Sequence, residues 1–366
     1  MYDFLIVGSG LFGSVFANLA QKNKKTCLIL EKRNHPFGNC FTESIHNIHV
    51  HKYGPHIFHT NSKKIWDYIN SFGEFNSYIN KPKINYKDQI FSFPINLMTL
   101  YQLWGVTTPN EAIDKLQSCR IHYDYEPKNL EEWILNQVGE EIYYTFIYGY
   151  TKKQWGTEPK NLPSFIIKRL PIRFNFNDNY YFDQYQGIPV EGYSRIMQNM
   201  TDGLEIKLET NYFDNRDYWD NLAHQIVYTG PIDEFFNYQF GKLEYRSLRF
   251  EHEIHKINDY QGNAIINYTE YETPFTRVIE HKHFNFGDDQ NISIITKEYP
   301  EQHNSNNEKY YPINNEKNNH LYDKYHDLEK SINNKYIFGG RLAEYKYYDM
   351  HQIIGSAHNI YNKYAK

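Results

Sequence analysis

The feature that most constrains this chain is the run Gly8-Ser9-Gly10-Leu11-Phe12-Gly13 and its surroundings. It follows a short, wholly apolar segment, Phe4 to Val7, and opens onto Ser14 to Lys22, which reads as a helix. A second apolar segment, Thr26 to Leu30, ends at Glu31, twenty-one residues after Gly10. Apolar runs without alternation suit parallel strands buried on both faces. The order strand, glycine turn, helix, strand is one βαβ unit with an acidic residue at the tip of its second strand. A lone G-x-G-x-x-G is weak, but this context makes it specific for a dinucleotide. Gly8 is expected to allow the tight turn, and Gly10 to let the backbone approach a pyrophosphate. Gly13 would let helix pack closely on strand, and Glu31 would accept from the adenosine ribose. The helix N-terminus offers amide groups and a positive dipole end to the phosphates.

Three later features favour FAD over NAD as the dinucleotide. Glu31-Lys32-Arg33 runs into Gly38-Asn39, a second glycine turn just past the ribose position. Thr229-Gly230 closes a buried strand, Ile226 to Tyr228, in mid-chain. Gly339-Gly340-Arg341 follows the last strand, and Asp349 precedes the last helix, whose start could cover the ribityl chain and ring oxygens.

At 366 residues the chain exceeds one typical core, so two or three structural units are expected. The fold class expected is α/β. A Rossmann-type FAD-binding domain would take residues 1–78, 193–236 and 318–366. A helical substrate or lid domain would take 79–180, and an antiparallel sheet domain 181–192 and 237–317. Helical signals dominate from about Ser62 to Gly149. Thr108-Pro109 with Glu111 forms a capping box, Asn129 with Glu132 marks another start, and Gly139 divides that run in two. Pro163 and Pro171 bracket a short helix or loop, Ser164 to Arg169. Glu244 to Glu253, Asn263 to Thr269, Thr276 to Phe284 and Ile292 to Lys297 alternate with period two, as antiparallel strands do. Helices near His320 to Lys330 and from Met350 to Tyr361 flank a strand at Tyr336 to Phe338.

No apolar run approaches the ~18 residues that span a bilayer. A net charge of −5 provides no basic field for nucleic acid, so any anion must be held by placed cations. Three cysteines without Cys-x-x-Cys spacing support neither a disulfide framework nor a thiolate metal site. The first strand begins almost at Met1, which leaves no room for a signal peptide, and a reducing cytoplasmic location is expected. Thirty-five tyrosines are too many for a core, because a buried hydroxyl needs a partner, so some are expected to line a polar, ring-binding cleft. His51, His56 and His59 fall within nine residues, but their spacing fits no standard zinc site and no metal is expected.

Longer strings carry a resemblance. They are His51-Lys52-Tyr53-Gly54-Pro55-His56-Ile57-Phe58-His59-Thr60, Gly149-Tyr150-Thr151 with Lys153-Gln154-Trp155-Gly156, and Ile166-Ile167-Lys168-Arg169. Further on come Tyr185-Gln186-Gly187-Ile188-Pro189, Arg277 with His281-Lys282-His283-Phe284, and the segment Gly339 to Met350. In this order, end to end, the chain resembles the bacterial UDP-galactopyranose mutases. Two positions depart from the family pattern: Phe37 and Glu191 stand where a glycine is usual, before Gly38 and Gly192.

The resemblance implies a homodimeric isomerase that interconverts UDP-galactopyranose and UDP-galactofuranose for surface polysaccharide. It implies FAD in the reduced state, with the sugar taken covalently by flavin N5 and no net oxidation. Arg169 and Arg277 match the two substrate arginines, suited to a departing diphosphate because arginine stays charged and binds bidentately. Read locally, Arg169 is a surface arginine; the resemblance reverses that. Tyr150, Thr151, Trp155 and Tyr180 match positions at the uridine end, with Phe146, Asn80 and Asn267 as weaker members. Tyr311, Tyr347 and Asp349 match residues near diphosphate and flavin. His59 is assigned to catalysis over the ring. Gly8, Gly10, Phe12, Gly13, Glu31, Lys32, Asn39, His56, Ile57, Arg341, Asp349 and Met350 are assigned to the cofactor.

Two rivals share these features. One is the same ring contraction on UDP-N-acetylgalactosamine, since His59 alone cannot define what fits at the second sugar carbon. The other is a FAD-dependent oxidoreductase of the amine-oxidase type, which would need neither paired arginines nor aromatics for a uracil. A protein that binds the sugar nucleotide without turning it over forms a third class.

Overall fold

The computed structural model describes residues 1–164, 172–285, 291–332 and 334–364. By contact the chain forms two compact units, the expected helical and sheet domains falling in one of them. The first comprises Met1–Ser77, Asp183–Tyr245 and Lys309–Lys366; the second comprises Tyr78–Phe182 and Arg246–Glu308.

The first unit is built on a parallel sheet. Its strands run in the order Tyr336–Phe338, Ala223–Tyr228, Tyr2–Val7, Cys27–Leu30 and Glu205–Lys207. Successive side chains on each strand face opposite ways. Phe4, Ile6, Cys27 and Ile29 join one core with Val15, Phe16, Met197, Ile354 and Tyr361 from helices Leu11–Lys22, Gly192–Met200 and Met350–Tyr364. Leu5, Leu28, Leu30, Ile226 and Tyr228 join a second core on the other face. Both faces are covered, which is why these strands carry no polar alternation. Burying each large apolar side chain contributes roughly 1.5–3 kcal/mol. Strand order reverses at Tyr2–Val7, flanked by Ala223–Tyr228 on one side and Cys27–Leu30 on the other. The glycine fingerprint therefore sits at the topological switch point, where open α/β sheets bind ligands.

In the second unit the strands Tyr245–His255, Ser293–Gln302, Arg277–Glu280, Ile265–Tyr268, Lys83–Tyr86 and Gln89–Ser92 lie side by side in that order. All neighbours are antiparallel except Ile265–Tyr268 with Lys83–Tyr86. Residues 83–92, expected within a helical segment, thus extend the sheet. Helices Leu97–Trp104, Pro109–Cys119, Leu130–Ile142 and Gly149–Trp155 complete the unit. Thr108 and Glu111 make the expected capping box, and the Asn129 side chain accepts from the Glu132 amide. Gly139 interrupts its helix at φ 76°, where a Cβ would lie 2.2 Å from the Cys119 carbonyl oxygen. No helix among the described residues is long and apolar enough to cross a membrane.

Candidate functional site

Two of the fingerprint glycines are required by the backbone itself. Gly8 has φ +106°, and a Cβ there would lie 2.2 Å from Thr229 Oγ1. A Cβ on Gly13 would stand 2.1 Å from the Gly8 carbonyl oxygen, so only glycine lets the helix approach the strand this closely. Gly10 differs, because a Cβ there would meet nothing within 4 Å. As N-cap of helix Leu11–Lys22 it offers no capping side chain. Space above Gly10 and a helix start without a side-chain cap are what a pyrophosphate requires. The residues present therefore fit a dinucleotide.

Glu31 is buried at 5 % exposure and organises the loop before it meets any ligand. One carboxylate oxygen accepts from the Ser9 amide (3.1 Å) and hydroxyl (2.7 Å), the other from the Arg33 amide (3.0 Å). The oxygen that accepts from Arg33 keeps a further lone pair, which a ribose hydroxyl could use. Phe37, the departure from the family pattern, adopts φ 76°, the left-handed region a glycine enters freely. Its amide donates to Ser9 Oγ at 2.8 Å and its ring is buried in the core, so packing holds the strained backbone. Gly38 follows so closely that a Cβ there would lie 3.0 Å from the Gly10 Cα. Arg33 donates to Asn39 Oδ1 at 3.0 Å. Lys32 is exposed and Ile57 is buried.

Other assigned residues of this unit lie in or against the segment 339–350. Phe12 fills the space beside Gly339 and Gly340, where added Cβ atoms would lie 2.0 Å and 3.3 Å from its side chain. Next in the chain, Arg341 donates to the Tyr348 carbonyl at 2.6 Å and lies over the rings of Tyr311 and Tyr347. Those rings stack 5.1 Å apart. Asp349 and Met350 begin the last helix, Met350–Tyr364.

His59 parts from the other two histidines. His56 sits with Nδ1 2.8 Å from the Gly54 carbonyl, and its amide donates to His51 Nδ1 at 3.1 Å. His59 instead turns, on a strand paired with Tyr185–Gly187, toward Asp183, with which its Nδ1 forms a short hydrogen bond. Its ring lies 5.0 Å from that of His351. Ligand-type atoms of His59, Asp349 and His351 lie within 4.8 Å of one another. Burial, then the adjoining His59, pushes His351 below the ordinary histidine value. Asp183 and His351 had no signal in the sequence, being 124 and 292 positions from His59. The cysteines are free thiols, and burial pushes Cys27 and Cys40 up to about 12.

The second unit holds most of the residues matched to the sugar nucleotide, Tyr311 and Tyr347 belonging to the first. Arg277 and Asn267 face each other across neighbouring strands. Arg277 Nε donates to Glu298 Oε1 at 2.9 Å, and Glu298 is only 1 % exposed. This partner, also unforeseen, holds the guanidinium at its Nε. Helix Gly149–Trp155 carries Tyr150, Thr151 and Trp155, with Thr151 buried and the other two partly exposed. Phe146 is core, edge-on to Phe91 at 5.0 Å. The Tyr180 amide donates to the Asn80 carbonyl at 2.7 Å, so these two are joined through the backbone. Arg169 lies outside the described residues, as does most of the segment Ser164 to Arg169 expected as a short helix or loop.

Comparison with known proteins identifies the family. The family profile "UDP-galactopyranose mutase" matches residues 145–347, and "NAD(P)-binding Rossmann-like domain" matches 6–72. A dTDP-fucopyranose mutase from Escherichia coli is 38 % identical over 100 % of this chain and 99 % of its own length. A "Probable UDP-galactopyranose mutase" from Klebsiella pneumoniae is 38 % identical over 97 % of this chain and 92 % of its own. A crystal structure of reduced UDP-galactopyranose mutase shares the fold, with TM-score 0.75 at 14 % identity over 98 % of this chain and 95 % of that one. A Rossmann-type unit with its fingerprint intact, and similarity that runs the length of the chain, lead to one assignment: this protein is an enzyme of the UDP-galactopyranose mutase family.

Proposed function

We propose that the protein interconverts UDP-galactopyranose and UDP-galactofuranose with FAD as its cofactor, supplying galactofuranose for surface polysaccharide. The observation that carries the reading is Arg277, on the strand beside Asn267 and held by the buried Glu298 of the next strand, a fixed cation of the kind a leaving diphosphate requires. Bound and reduced, FAD would supply a nucleophilic nitrogen to the anomeric carbon and would not be consumed. The chain's own residues bind, orient and neutralise. Gly8, Gly10 and Gly13 with the first amides of helix Leu11–Lys22 would hold the cofactor pyrophosphate, and Glu31 its ribose. Arg277 and Arg169 would hold the substrate diphosphate, while Tyr150, Trp155 and Tyr180 offer flat faces to a uracil. His59, held by Asp183, would stand beside the reacting sugar. The family resemblance supports a cytoplasmic homodimer.

One second reading has a specific observation behind it. The Escherichia coli dTDP-fucopyranose mutase is as similar to this chain as the Klebsiella protein. A thymidine-linked 6-deoxy sugar needs the same diphosphate cations and ring-stacking aromatics. Dithionite-reduced protein given UDP-galactofuranose, its N-acetylated counterpart and dTDP-fucofuranose in separate reactions decides among them. The proposal requires the highest kcat/KM for UDP-galactofuranose; preference for either competitor would replace it.

A further inference from the structure

Lys153 is a charged residue that the site assignment leaves without a task, yet it is 8 % exposed. Its ammonium donates to four main-chain carbonyls: Tyr268 at 2.8 Å, Glu270 at 2.8 Å, Thr273 at 2.9 Å and Phe275 at 2.9 Å. An ammonium has three N–H donors, so four acceptors at this range make more than a set of paired hydrogen bonds. They form a carbonyl cage of the kind that replaces the hydration shell of a monovalent cation. Burial pushes the amine down to about 8, and Glu270 and Glu272 oppose that shift. The four carbonyl dipoles also favour the charged form, so the proton stays on through neutral pH.

The caged carbonyls belong to the turn joining strand Ile265–Tyr268 to strand Arg277–Glu280, the hairpin that pairs Asn267 with Arg277. Lys153 itself sits on helix Gly149–Trp155 with Tyr150, Thr151 and Trp155. The two elements touch along their length. Thr269 Oγ1 donates to the Thr145 carbonyl at 2.7 Å, and a Cβ on Gly149 would stand 2.2 Å from the Thr269 carbonyl oxygen. Lys152 Nζ lies 4.4 Å from the centre of the Tyr271 ring. Arg246 closes the far end, donating to the carbonyls of Gln154 (2.9 Å) and Lys153 (3.2 Å).

We propose that Lys153 is a positioning residue whose caged ammonium locks the 269–276 turn onto helix Gly149–Trp155, and so sets the spacing between the uridine-binding helix and Arg277. This rests on the sugar-nucleotide reading of those residues. The lock is electrostatic and internal, so Lys153 touches no substrate. Removing it leaves four carbonyls converging on a hole sized for a cation.

The test is UDP affinity by calorimetry, with thermal melting alongside, for wild type, Lys153→Ala and Lys153→Arg. Lys153→Ala is expected to bind UDP at least about tenfold more weakly. Potassium or ammonium ions, at constant ionic strength, should restore most of that loss by entering the cage, whereas tetramethylammonium should not. Lys153→Arg keeps the charge but not the compact shape, and should fold with an intermediate loss. Wild-type affinity in both variants would overturn the proposal. So would a loss in Lys153→Ala that no small cation repairs, or, where that variant does not fold, undiminished UDP binding by Lys153→Arg. If the wild type itself fails to bind UDP, the sugar-nucleotide reading falls first and Lys153 has nothing to position.

Discussion

Arg277→Met separates what Arg277 does for the fold from what it does for the diphosphate. Glu298 is 1 % exposed, and the Arg277 side chain retains 22 % exposure. Removing one member of a buried ion pair costs about 3–5 kcal/mol, because the other charge is stranded. With Arg277 partly open to solvent, the lower end, about 3 kcal/mol, is expected. At roughly 2–4 °C per kcal/mol for a unit this size, the melting temperature should fall by about 6–12 °C. Replacing both partners removes the stranded charge, so Arg277→Met with Glu298→Met should regain most of that stability. It should not regain UDP binding. A hydrogen bond to a charged group contributes about 1.5–3 kcal/mol, so calorimetry should show affinity lower by about tenfold to a hundredfold in both variants. A double variant that binds UDP like wild type would remove Arg277 from the diphosphate site. A single variant that melts like wild type would refute the buried-pair argument.

Two further predictions concern separate parts of the molecule. Gly10→Val places a branched side chain in the space reserved for the pyrophosphate, so the purified protein should be colourless, with folding intact by circular dichroism; a yellow variant would contradict the cofactor assignment. Glu280 raises His283 above the ordinary histidine value, and Glu280 is in turn drawn down to about 2, burial opposing His283, Ser293 and two backbone amides. A raised folded-state value means that His283 contributes fully below its unfolded value, near 6.5, and loses its contribution as pH rises through the folded value. Melting temperature should therefore decline above about pH 6.5 in wild type and decline less in His283→Gln; parallel profiles would sink the assignment.

Much of this was legible because the residues answer to local backbone demands. Gly8 and Gly13 are required by a positive φ and by close approach, and such demands are written in short strings. The capping box at Thr108 and the break at Gly139 are local in the same way. Two hairpins, Thr42–Ile45 with Ile48–His51 and Lys83–Tyr86 with Gln89–Ser92, were not legible. Their turns, His46-Asn47 and Lys87-Asp88, take positive φ at both central residues without glycine, so strands Lys83–Tyr86 and Gln89–Ser92 were hidden in a segment with helical signals. Those strands join a sheet formed mainly by residues far along the chain, and so the segments expected as a helical domain and as a sheet domain fall in one unit. Partners such as Asp183 for His59, Glu298 for Arg277 and the cage around Lys153 arise from tertiary pairing. A charged residue read alone suggests a solvated face, and Lys153 is the opposite.

The account's central claim is that a flavin held at the Gly8–Gly13 fingerprint works reduced, without being spent. Following UDP-galactofuranose conversion and flavin absorbance together, before and after anaerobic dithionite, tests it most directly. The account predicts pyranose product only after the flavin is bleached, over many turnovers and without reoxidation. Conversion by the oxidised protein, or turnover that consumes one reductant or oxygen per product, would contradict it.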